Sequence, residues 1–296
     1  MNEPRKIDRN SSEYPLLLKE IPDAPKNLYF KGEWDPGLFN KCIGVVGSRN
    51  VTVYGKRVVQ TLVSEVACFG VNIVSGFMYG VDALAHSVAI SSGVSTVAVL
   101  PCGIDLIYPA SQKELHEAIL KSKGLFISEF EGEYKPQVWT YYKRNRIIAG
   151  LCRALLVVEA GLDSGSLITA NFAKNYNRTV MAVPGSIFSE YSLGTLQLIK
   201  DGAKPVVTAA DILTGLNPSE QLDEYIVKDK VAASVVNNFY DKNSAEYQIF
   251  ELLRSQILTL DQISQTLCLP VEVVSSKITL MLIAGMVFED TGRFFI

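Results

Sequence analysis

Residues 42–70 read CIGVVGSRNVTVYGKRVVQTLVSEVACFG. The first seven, CIGVVGS, are apolar and β-branched almost without a break, the pattern of a strand buried on both faces. From Tyr54 onward the period changes. Val58, Leu62, Val66 and Phe69 recur at three or four residues, one face of an amphipathic helix. Gly70 stands at the end of that helix, where a C-cap glycine belongs.

The same alternation continues outward. Apolar runs recur at VNIVSG (71–76), STVAVLP (95–101), GLFISEF (124–130), ALLVVEA (154–160), TVMAVPG (179–185) and KPVVT (204–208), with helix-period stretches between them. This order predicts an α/β fold with a mostly parallel, doubly wound sheet over residues 41–215. Residues 1–40, rich in proline and charge, read as an extended lead-in packed on that core. Residues 216–243 are polar and read as a linker. A small second domain is expected over 244–296. AEYQIFELLRS is an amphipathic helix, and Thr259 with Gln262 forms a capping box before LDQISQTLC. VEVVSSKITLMLIAG is a third helix, and MVFEDTGRFFI a hairpin. Three helices and a hairpin describe a winged helix.

The 296 residues carry a formal charge of −3, so any basic site must be local. Residues 41–215 hold 16 Lys/Arg against 13 Asp/Glu, a net of +3, and residues 244–296 hold 3 against 6, a net of −3. The α/β part is the basic half. Five scattered cysteines without C-x-x-C spacing read as reduced core residues. Two histidines, His86 and His116, are too few for a metal centre, so no metal or cofactor is expected. The N-terminus lacks a signal-peptide core and no apolar run is long enough to span a membrane, which predicts a cytoplasmic protein.

Four segments carry candidate chemistry. In VGSRNVTVYGKR, Gly47 allows a tight turn after the strand, Ser48 offers a hydroxyl and Arg49 can fork onto a phosphate. The segment is neither G-x-G-x-x-G nor a P-loop. In VSGFMYGVDALAH, Gly76 and Gly80 flank a turn, and Asp82 and His86 share a helix face, where they read as a brace, against the alternative of an Asp–His general base. In YYKRNRIIAG, Lys143, Arg144 and Arg146 lie beside Trp139, Tyr141 and Tyr142. Cations neutralise phosphates and aromatic faces stack on unpaired bases, against the alternative of a charged turn before a helix starting near Ile147. In VVEAGLDSGSLITA, Ser164 is an N-cap, and Gly165 and Ser166 open a helix whose N–H groups form an anion site, against capping alone.

Taken in order, VGSRNVTVYGKR, VSGFMYGVDALAH, VAVLPCGIDLIYP, ISEF, KRNRIIAG, LVVEAGLDSGSLITANFAKNYNR, VMAVPGSIFSEYSLGTLQLIKDGAK and DIL resemble the DNA-processing protein A (DprA/Smf) family over about residues 14–213. The resemblance implies an extended Rossmann-like domain, homodimeric, that binds and protects single-stranded DNA and helps load the RecA recombinase during natural transformation. It also implies a non-catalytic protein. The DNA-binding set it suggests is Gly47, Ser48, Arg49, Gly76, Lys143, Arg144, Asn145, Arg146, Ser164, Gly165, Ser166 and Lys174. The chain carries Tyr79 where the family usually has arginine, and Tyr142 where it usually has proline. The alternatives are a Rossmann-like enzyme of the phosphoribohydrolase class and an interaction adaptor built on the winged helix. The former uses a P-G-G-x-G-T-x-x-E run that VPGSIFSEYSLGT lacks, leaving Glu159 as the only strand-end carboxylate in VVEA.

Overall fold

The computed structural model describes residues 4–217, 244–283, 287–290 and 292–295. These fall into two compact units, one on either side of residues 218–243.

The first unit opens with β1 (Arg5–Asp8), α1 (Leu16–Lys19) and β2 (Asn27–Gly32). Then come β3 (Cys42–Val46), α2 (Val53–Ala67), β4 (Asn72–Gly76), α3 (Val81–Ser91) and β5 (Thr96–Val99). They are followed by α4 (Lys113–Lys121), β6 (Leu125–Ser128), α5 (Val138–Leu151) and β7 (Ala154–Val157). The unit closes with α6 (Gly165–Asn175), β8 (Thr179–Ala182), α7 (Leu193–Lys200), β9 (Lys204–Pro205) and α8 (Ala209–Leu216).

The strands form one nine-stranded sheet in the order β1-β2-β6-β5-β4-β3-β7-β8-β9. Every pair from β6 to β9 in that order is parallel, while β1 and β2 are antiparallel additions at one end. The apolar runs are continuous because β3, β5, β6 and β7 are buried along their whole length. From β3 the chain winds out to β6, then returns to the other side of β3 and winds out to β9. Right-handed crossovers therefore place the two sets of helices on opposite faces. Accordingly α2 packs on α3 and α8, and α5 on α6 and α1.

Helix α2 ends as its glycine predicts. Gly70 has φ +69°, its N–H reaches Ala67 O and the Val71 N–H reaches Val66 O, a Schellman closure.

Two expectations need correction. Residues 1–40 are more than a lead-in packed on the core: β2 pairs with β6, and β1 with β2, so they widen the sheet. The alternating burial of NLYFKG is the signature of such a strand, with one face on the core. At the other end, KPVVT yields only two paired residues. Pro205 lacks a ladder donor, and Thr208 caps α8 in a reciprocal box with Asp211.

In the second unit, α9 (Ala245–Ser255) is capped by the Ser244 hydroxyl. It leads into β10 (Leu258–Thr259), α10 (Leu260–Leu267), α11 (Val271–Ile283), β11 (Phe288–Asp290) and β12 (Arg293–Phe295). The Thr259–Gln262 capping box is present. The three strands pair in the order β10-β12-β11. Ile249, Phe250, Ile263, Val274, Ile278, Met281 and Phe294 form this unit's own core.

Candidate nucleic-acid interface

The direction of winding reverses between β3 and β7, which are neighbours in the sheet. Open α/β sheets bind ligands at the carboxyl end of such a switch point. Val158 N–H donates to Val46 O, and the turns beyond both strands meet there. A Cβ built on Gly47 would crowd the Val81 side chain and stand 3.1 Å from the Glu159 carbonyl. One on Gly80, at φ +76°, would collide with the carbonyls of Ser48 and Arg49. Both glycines thus let three backbone turns close on one another. Ser48 closes its own turn, exchanging hydrogen bonds with Asn50 N and O at 3.1 Å.

Arg49 is exposed, with Cζ 5.3 Å from the centroid of the Tyr141 ring. Burial and a hydrogen bond with Tyr108 push the Tyr141 hydroxyl up to about 12. Two residues on, exposed Lys143 holds Nζ 5.3 Å from the Trp139 ring. Tyr141, Trp139 and Lys143 lie in the first half of α5, which starts at Val138. The basic residues are therefore inside a helix, not in a turn before one at Ile147. Gln137 and Thr140 form the capping box that starts it early.

The other two cations of KRNR are buried. Arg144 donates through Nη1 to Val99 O at 3.1 Å and lies 4.0 Å from the Asp82 carboxylate. It props the ends of β4 and β5 against the start of α3 from beneath the surface. Burial raises the Asp82 carboxyl above the usual carboxylate range, and the Arg144 guanidinium pulls it back. Arg146 holds Glu129 through Nη2 at 2.6 and 2.7 Å, Asp23 O through Nη1 at 2.6 Å and the Asp23 carboxylate through Nε at 3.4 Å. Its guanidinium is committed inside the protein. Asn145 is also buried and donates to Gly165 O at 3.3 Å, tying α5 to α6.

Asp82 and His86 do not brace each other as expected. Asp82 faces Arg144, whereas His86 donates through Nε2 to Gly76 O at 2.6 Å and meets the Thr96 hydroxyl through Nδ1 at 2.6 Å. Burial pushes His86 down to about 4, so its ring is neutral. The reason is packing: β4 and β5 supply nearer partners than the next helical turn.

Ser164 caps α6 by accepting from Ser166 N–H at 3.3 Å, and the two hydroxyls are 2.5 Å apart. Gly165 is exposed at the helix start, with open space where a Cβ would stand. Lys174 lies nine residues further along α6, about 13 Å down the axis, away from that start. Glu159 accepts from Thr52 N–H at 3.0 Å and from the Thr52 hydroxyl at 2.5 Å, so it caps the start of α2. Asp23 and Glu129, which fix Arg146, went unnoticed in the sequence because each lies far from the KRNR segment. Among the described residues, no group of three or more His, Cys, Asp or Glu could hold a metal ion. Nor is any described helix long and apolar enough to cross a membrane.

A sequence profile described as DNA recombination-mediator protein A matches residues 5–217. The chain belongs to this family. Among its relatives in the DNA recombination-mediator protein A family, DNA processing protein DprA of Bacillus subtilis is 41% identical over 210 residues, 71% of this chain and 70% of the relative. The X-ray structure of DNA processing protein A from Streptococcus pneumoniae superimposes with a TM-score of 0.67 at 37% identity, covering 72% of this chain and 74% of that one. DNA processing protein A from Helicobacter pylori, whose structure is described by its single-stranded DNA binding mode, superimposes with a TM-score of 0.64 at 29% identity, covering 73% and 96%. The mostly parallel α/β architecture is thus the family's own.

Proposed function

We propose that this chain is a non-catalytic protein that binds and protects single-stranded DNA at the carboxyl edge of its sheet. In the cell it helps load RecA recombinase onto that DNA during natural transformation, as a cytoplasmic homodimer. The observation that carries the binding reading is the pairing of exposed cations with aromatic rings beside the switch point: Arg49 over Tyr141 and Lys143 over Trp139. Charge there neutralises phosphates, and ring faces stack on unpaired bases of any sequence. Duplex DNA offers the phosphates but hides the base faces. The family membership and the single-stranded DNA binding of the Helicobacter relative support the same reading.

The interface on this reading comprises Gly47, Ser48, Arg49, Lys143 and the Ser164–Ser166 helix start. Gly76, Arg144, Asn145 and Arg146 serve it from below. The phosphoribohydrolase alternative relies on the glutamate of a P-G-G-x-G-T-x-x-E run, which VPGSIFSEYSLGT lacks, and the strand-end carboxylate of Glu159 is engaged by Thr52. A fluorescence-anisotropy titration with single-stranded and duplex oligonucleotides of one sequence tests the proposal. Tighter binding of the single strand is expected, and equal affinity or none overturns it. Release of nucleobase from a nucleoside monophosphate would favour the enzyme instead.

A further inference from the structure

We propose that the groove lined by Asp23, Trp139, Tyr142, Lys143 and Arg146 is a pocket for one unstacked nucleobase, and that it favours guanine over thymine. The inference rests on the single-stranded DNA reading above and adds a base preference to it.

The groove encloses about 460 Å³, within the range of ~300–1,000 Å³ common for small-ligand sites. Trp139 and Tyr142 are three residues apart on α5 and so share a helix face. Both leave about half their surface in water, 47% and 54%, although they are large apolar side chains. Neither ring is loose. Trp139 meets Phe130 at 5.7 Å and 80°, and Tyr134 at 6.2 Å and 69°. Tyr142 meets Phe172 at 4.9 Å and 64°, and Phe172 stacks on Tyr176 at 5.9 Å. Two separate aromatic clusters thus brace two rings that line one groove. Rings held in advance lose little conformational entropy when a flat ligand enters, which favours binding.

The polar groups set the preference. Asp23 accepts from the Tyr176 hydroxyl at 2.8 Å and meets Arg146 Nε at 3.4 Å, while its side chain stays 52% exposed. A carboxylate has about four lone-pair directions, so acceptor capacity remains. The spare acceptor sites of this carboxylate can be met by a base N–H but not by a phosphate, which offers acceptors only, so the groove suits a base rather than the backbone. The Watson–Crick edge of guanine places two adjacent N–H donors side by side, a match for one carboxylate. That of thymine offers one N–H between two carbonyls, which the carboxylate repels. Lys143, at the rim, can donate to guanine O6 or to the neighbouring phosphate.

Trp34 and Trp139 are the only tryptophans, so Trp34→Phe leaves Trp139 as the sole reporter. In that background, full-length protein is titrated with oligothymidylate and with the same strand carrying isolated guanines. Affinity and Trp139 emission are both recorded. The guanine-bearing strand should bind more tightly and quench Trp139 more strongly. Tyr142→Ala should weaken its binding about 5- to 100-fold, while Tyr142→Phe, which keeps the ring, stays near the parent. Asp23→Asn should shrink the difference between the two strands, with circular dichroism checking that the variant is folded. Equal affinity of the parent for the two strands overturns the guanine assignment. Unchanged affinity in Tyr142→Ala together with unquenched Trp139 overturns the pocket and leaves DNA binding standing. A parent that binds neither strand removes both this inference and the function it rests on.

Discussion

A Cβ built on Gly76 would fall inside the van der Waals envelope of Nη1 of Arg144. The last residue of β4 must therefore be glycine for the α5 arginine to reach Val99 O and Asp82. Gly76→Ala should destabilise the fold by at least ~1–3 kcal/mol through overpacking. Arg144→Ala should cost about 3–5 kcal/mol, because it leaves Asp82 buried without its counter-charge. The two are coupled, so Gly76→Ala should cost less in the Arg144→Ala background, by roughly 0.5–3 kcal/mol. Urea midpoints of the four proteins measure this, and strict additivity would refute the contact.

Stability should fall on mild acidification. His86 is buried neutral, its folded pKa lowered from 6.5 to about 4. A histidine depressed by folding contributes stability that is full above its unfolded value and lost as pH drops through 6.5 towards about 4. Roughly 2 kcal/mol should disappear between about pH 7 and about pH 5. His116, packed on Phe126, is also shifted down by burial and adds in the same direction. Denaturant melts of the parent and of His86→Gln at the two pH values check this. The variant should show the flatter profile.

Arg49 and Tyr141 should separate in their salt dependence, although they touch. Arg49→Ala removes one phosphate contact, so binding weakens for every sequence and the slope of log K against log salt falls by about 0.7. Tyr141→Ala removes a stacking face, at a cost of roughly 1–3 kcal/mol with little change in slope. Anisotropy titrations across a salt series measure both. If Arg49→Ala keeps the parent's affinity and slope while folded, the phosphate path lies elsewhere.

Lys277, the only cation in α11, is held by Glu246 of α9 at 2.6 Å. With its charge engaged and Val273 and Leu280 exposed on the same helix, α11 suits a protein partner better than base edges. Lys277→Ala should leave single-stranded DNA affinity within about two-fold and cost about 1 kcal/mol of stability, since the pair is only partly exposed. A tenfold loss of DNA affinity would place α11 in the DNA path.

Chelation should have no effect on binding. EDTA added to a preformed complex should leave the anisotropy unchanged, since the proposed interface relies on guanidinium, ammonium and aromatic groups. Dissociation by EDTA, reversed by a divalent cation, would show that a metal takes part.

Local chemistry was readable without coordinates. Uninterrupted β-branched runs marked the parallel strands, because burial on both faces demands it of each residue separately. The Schellman glycine at Gly70 and the caps at Ser164 and Thr259 depend on neighbours within a few positions, as the residue order states. The ordered motifs also carried the family. Strand β2 was legible in principle from its alternation, but nothing nearby names β6 as its partner.

The fates of the four cations were a tertiary matter. Arg49, Lys143, Arg144 and Arg146 look alike in sequence, yet two reach water beside aromatic rings and two are buried. Whether a guanidinium can be buried depends on an opposite charge and acceptors waiting for it. Arg144 finds Asp82 and Val99 O, and Arg146 finds Glu129 and Asp23, from segments far along the chain. Sequence alone determined that basic and aromatic residues crowd the start of α5. Only the folded chain, by bringing distant carboxylates beneath that helix, decided which charges remain free to meet a ligand.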